Sequence, residues 1–60
     1  MTRIGNVYMG PISELPNPST DRIRPGSFFV NENLGTTYVL KSVGGVSSWY
    51  AVGTAAEYTF

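Results

Sequence analysis

Large apolar residues come in short consecutive runs along this chain, which in extended strands place apolar groups on both faces. From residue 26 onward, runs of large apolar residues are separated by clusters of turn-forming residues. Phe28-Phe29-Val30 is followed by Asn31-Glu32-Asn33-Leu34-Gly35, residues 36–42 (TTYVLKS) by Gly44-Gly45, and Trp49-Tyr50-Ala51-Val52 by Gly53. Short β-branched and aromatic runs bounded by Asn and Gly predict strands joined by tight turns. The expected fold is therefore all-β: a small antiparallel meander of three to four strands over residues 26–53. An extended Pro-rich N-terminal arm (residues 1–25) precedes it, and a C-terminal tail (residues 54–60) follows.

Within the first third, residues 4–9 (IGNVYM) predict one short strand weakened by Gly5 and Asn6, which Gly10-Pro11 ends because proline donates no ladder hydrogen bond. Pro11, Pro16, Pro18 and Pro25 fix φ and hold their preceding residues extended, so residues 11–25 are expected to be extended rather than helical. Asp21-Arg22-Ile23-Arg24 alternates well enough for a short strand. Ile12, Leu15 and Ile23 are the segment's large apolar groups, pegs that pin a wrapped arm to another surface; the competing reading is a flexible linker. The tail places Tyr58 and Phe60 on one face, and it either adds to a neighbour's sheet edge or folds back on its own.

Alternation also carries a problem for a lone sheet. Phe28 and Val30 oppose Phe29, Tyr38 and Leu40 oppose Val39, and Trp49 with Ala51 opposes Tyr50 with Val52. Apolar groups on both faces require a second covering surface. A sixty-residue chain buries only about 60% of the surface it exposes when unfolded, and folds of this size usually need a staple. Cysteine and histidine are both absent, which removes disulfides and the commonest metal ligands. The remaining staple is protein surface. The candidate interface residues are Phe28, Phe29, Tyr38, Leu40, Trp49, Tyr50, Tyr58 and Phe60, and self-association is expected.

Charge narrows the partners. Formal net charge is zero, with four basic and four acidic residues scattered singly. Arg3, Arg22, Arg24 and Lys41 are too few and too dispersed for a nucleic-acid footprint. No apolar run reaches membrane-span length, and no signal-peptide core follows Met1. No cofactor is expected. Acid–base catalysis would need convergent carboxylates, yet Glu14, Asp21, Glu32 and Glu57 lie in different segments, and Ser47-Ser48 have no base beyond Lys41. Asn31-Glu32-Asn33 falls short of a calcium loop and suits a hairpin turn. Asn17-Pro18-Ser19 is no glycosylation acceptor because proline sits in the middle. The chain is expected to be non-enzymatic.

One arrangement of residues resembles a known family. Pro16 and Pro18, Gly26, Phe29-Val30, Asn31, Leu34-Gly35, Tyr38-Val39, Gly45, Trp49, Val52 and Gly53 follow the spacing of a short unit in tail-fibre and appendage proteins of tailed bacteriophages. The likeness covers residues 15–54. Val30 stands where the unit has a second aromatic, Tyr38-Val39-Leu40 where it has a tryptophan pair, and residues 41–48 form a longer turn segment. The resemblance implies structural or adhesive work, with no enzymatic residues to carry over, and in that family the unit often sits in trimers. A free-standing version is expected to be a virion protein made in the host cytoplasm, decorating or cementing a capsid or sitting at an appendage base. Its partners would be further copies of itself, as a trimer, and a coat, portal or fibre protein. Two alternatives remain. One is a fibre-tip receptor module with Trp49, Tyr50 and Tyr38 stacking on a glycan. The other is a small SH3-like host-interaction protein.

Overall fold

A computed structural model describes residues 1–59. Five strands form one mixed sheet in sequence order: β1 (Thr2–Ile4), β2 (Val7–Gly10), β3 (Phe28–Asn31), β4 (Thr37–Val43) and β5 (Val46–Ala51). Among the described residues the chain is all-β apart from a single 3-10 turn at Ile12–Glu14. The strands expected around Phe28, Tyr38 and Trp49 are present and antiparallel, with β5 starting three residues earlier than its aromatic run.

The N-terminal third departs from expectation. Residues 4–9 are not one strand. They contain the turn of a hairpin in which Thr2 faces Met9, Arg3 faces Tyr8 and Ile4 faces Val7. A two-residue hairpin loop needs positive φ at its first central position, and Gly5 supplies it at 59°. The strand count therefore rises to five. Moreover, β2 runs parallel to β3, with Val7 opposite Phe28 and Tyr8 opposite Phe29, so the sheet is mixed rather than purely antiparallel.

Parallel neighbours cannot be joined by a tight turn; the chain must cross over one face of the sheet. Residues 11–27 make that crossover. Its first turn is the 3-10 turn, closed by the Glu14 and Leu15 amides donating to the Pro11 and Ile12 carbonyls. Proline at the turn's entry has no N–H to lose there, so Pro11 starts a helical turn instead of preventing one. Residues 21–24 form no strand. Asp21 instead closes a local turn, its carboxylate accepting from the Asn17 amide at 3.1 Å and its own amide donating to the Asn17 carbonyl at 2.7 Å.

The crossover is the second layer of the fold. Leu15 is buried in one cluster with Tyr8, Phe29, Leu40 and Trp49, and Ile12 and Ile23 pack against it. The apolar pegs therefore pin the arm to the chain's own sheet. Trp49 and Phe29 meet edge to face at 6.3 Å. The tail folds back as well: the Ala51 amide donates to Ala56 and the Tyr58 amide to Trp49, each at 2.8 Å, and Glu57 bridges to Tyr50.

Candidate functional site

Strand registers sort every sheet residue onto one of two faces. Paired residues in neighbouring strands share a face, and successive residues in a strand alternate. Tyr8, Phe29 and Tyr38 form one cross-strand row, with Leu40 and Trp49 beside it; these residues face the arm. The other parity produces a row that crosses all five strands: Ile4, Val7, Phe28, Val39 and Tyr50. Alongside it run Thr2, Met9, Val30 and Thr37, and further along the β4–β5 hairpin stand Lys41 with Ser48 and Val43 with Val46.

This second face is open. Ile4 is 66% exposed, Phe28 37%, Val43 59% and Val46 63%, four of the seven large apolar residues that stand exposed among those described. Ile4 stands at the β1 edge and Val43 and Val46 at the end of the β4–β5 hairpin, while Val7, Val39 and Tyr50 between them are half-buried. Two charged side chains stand on this face: Lys41 of β4, whose ammonium lies 4.5 Å above the Tyr50 ring, and Glu57 of the tail, which bridges to Tyr50. Their placement at one end of the row leaves the Val7–Phe28–Val39 centre uncharged.

The expected interface residues divide between the two faces. Phe29, Leu40 and Trp49 are fully buried in the chain's own core. No ring face of Trp49 is open to a glycan, and its indole N–H donates to the Pro16 carbonyl at 2.8 Å. Phe28 and Tyr50 lie on the open face. Tyr38 and Tyr58 are partly buried against the core and pack edge to face at 5.9 Å. Phe60 lies outside the described residues. Ile4, Val7, Val43 and Val46 join the open face although none carries an aromatic ring. The signal for them was parity: once Phe29 and Trp49 are assigned inward, strict alternation turns Phe28, Val39, Tyr50 and Val46 outward.

A depression of about 420 Å³ lies between the β1–β2 hairpin and the arm. The arm's turns bring Glu14 and Asp21 to its wall from separate segments, together with Arg3, Arg22 and Tyr8. Each of the first three already has a partner. Glu14 pairs with the Met1 amino group at 3.0 Å, Asp21 closes the Asn17 turn, and the Arg3 guanidinium sits 5.3 Å above the Tyr8 ring. At the β3–β4 turn, the Asn31 Oδ1 accepts from the Asn33 amide at 3.0 Å, so its side chain serves the turn. Among the described residues no group of three or more Asp or Glu side chains could hold a metal ion, and no helix is long and apolar enough to cross a membrane.

No protein-family model, curated protein or solved structure matches the chain. The geometry of the two faces is therefore the main guide to what it does.

Proposed function

We propose that the chain is a non-enzymatic structural protein of a bacteriophage virion. In this reading it is a small decoration or appendage-base component held against protein surface through the open face of its sheet. The observation that carries the reading is the uncharged row from Ile4 to Tyr50 across all five strands. The buried core lies on the other side of the sheet, and a partly exposed apolar row left outside it suits an interaction surface. The virion assignment draws on the resemblance to appendage units, whose work is structural.

Magnitudes favour repeated, modest contacts over one tight site. Covering on the order of 300 Å² of apolar surface releases roughly 7 kcal/mol. Association itself costs at least about 4 kcal/mol and often more. A single copy would bind weakly, and many copies on a regular assembly would be retained by their combined contacts.

Quantitative mass spectrometry of purified particles tests this. The chain is expected at a fixed stoichiometry, with a folded Phe28→Glu chain lost from the particles. Absence of the unsubstituted chain from intact particles would remove the virion reading.

A further inference from the structure

We infer that the surface covering the open face is the same face of a second copy, related by a two-fold axis along β3. The inference rests on the docking reading above and names its immediate partner.

Three observations lead there. First, the face is apolar over its centre. Its central row is Ile4, Val7, Phe28, Val39 and Tyr50, and its two charged groups, Lys41 of β4 and Glu57 of the tail, both stand at the Tyr50 end. A centre without charge offers little for an unlike partner to match, whereas an apolar sheet face is complementary to itself: two such faces stack about 10 Å apart with interdigitating side chains.

Second, the symmetry follows from the number of patches. A two-fold pair uses one patch twice, while a closed trimer needs two different patches that fit each other. The strand rows supply one. With the axis along β3, the middle strand, β4 of one copy lies over β2 of the other. The two Lys41 side chains then stay on opposite sides of the axis, and Phe28 of each copy lies beside the axis.

Third, the size is adequate but small. The two longer molecular extents, 30 and 24 Å, cap the face at about 700 Å² in projection. A standard interface covers about 800 Å² on each partner. Pairing must therefore use nearly the whole face, and the dimer is expected to dissociate in roughly the micromolar range. Within a virion the pair, rather than the single chain, becomes the unit held by the larger assembly.

Sedimentation equilibrium of the full chain from about 1 µM to 1 mM should show a reversible monomer–dimer equilibrium. Phe28→Glu should weaken it by at least about 30-fold, the scale of a central anchor residue. Leu34→Glu, exposed in the β3–β4 loop, should leave it unchanged. Because the chain lacks cysteine, cross-linking provides a second measurement that does not depend on how Phe28→Glu folds. Phe28→Cys should form a disulfide-linked dimer under mild oxidation far faster than Leu34→Cys. A monomer at every concentration, a trimer, or a dimer indifferent to Phe28→Glu with no preferential Phe28→Cys cross-link would each overturn the inference. A dimer in solution that is missing from particles would instead sink the virion reading and leave the two-fold pair standing.

Discussion

The indole Nε1 of Trp49 donates a hydrogen bond to the carbonyl oxygen of Pro16 at 2.8 Å, joining β5 to the arm across 33 residues of chain. Both partners are tied to burial. Trp49 is fully buried, and the neighbouring Leu15 belongs to the same core cluster. Removing the donor strands the Pro16 carbonyl, and a buried unpaired polar group costs about 1–3 kcal/mol. Trp49→Phe also gives up packed volume, so a total loss of about 2–4 kcal/mol is expected. Urea unfolding followed by circular dichroism measures it. A loss below about 0.5 kcal/mol would mean that the arm is not fastened there.

Leu15 tests whether the arm is a true second layer. Leu-to-Ala changes in a core cost about 2–5 kcal/mol, and a domain of sixty residues holds only about 3–9 kcal/mol in all. Leu15→Ala should leave the arm largely detached or the chain unfolded. Trp49 is the chain's one tryptophan, so its fluorescence reports the event directly. The parent should emit in the blue and resist acrylamide. Leu15→Ala should emit further to the red and be quenched readily, and an unaltered spectrum would contradict the layered core.

The β4–β5 turn makes a sharper local prediction. Gly44 and Gly45 take φ values of 60° and 82°, and a two-residue loop with both central residues in positive φ prefers Asn-Gly. Gly44→Asn should therefore be close to neutral. Gly45→Ala should cost about 1–2 kcal/mol, the penalty of holding an L-residue left-handed. Space does not decide the matter, since a Cβ at either position meets nothing within 4 Å. Paired thermal melts measure both changes, and equal melting temperatures would contradict the assigned turn.

Much of the sheet was legible because its determinants are local. Phe28-Phe29-Val30, residues 37–42 and the Gly44-Gly45 turn each carry strand or turn preferences within a few residues. Gly5-Asn6 carried a hairpin signal too, but flanking runs as short as Thr2–Ile4 and Val7–Gly10 made it look like a flaw within one strand. The parallel pairing of β2 with β3 is a different case. No local preference states that a proline-rich segment will return the chain beside its own β2; that depends on Leu15 and Pro16 finding Leu40 and Trp49 across the core. The candidate interface was partly legible for a related reason. Choosing the largest aromatics mixed Trp49 and Phe29, which build the core, with Phe28 and Tyr50, which face outward. Parity separates them only once the arm fixes which face is inner.

The C-terminal tail supplies the last prediction. β5 has β4 on one side, and on the other the tail covers its second half: the Ala51 amide reaches Ala56 and the Tyr58 amide reaches Trp49. Tyr58 also packs edge to face on Tyr38. An uncovered strand edge presents free backbone groups to other chains. Deleting residues 56–60 should therefore have two separable effects. The Ala51 amide should lose hydrogen-exchange protection while amides at the β3–β4 ladder keep theirs. Chains should then associate through the bared edge, raising scattering and thioflavin fluorescence with concentration. Tyr58→Ala alone should cost about 1–2 kcal/mol, from lost ring contact and burial, without the edge association, because its backbone amide still donates to Trp49. If the truncated chain keeps Ala51 protected and stays soluble to the same concentration as its parent, the tail is no edge cover, and its role must lie in contacts beyond its own sheet.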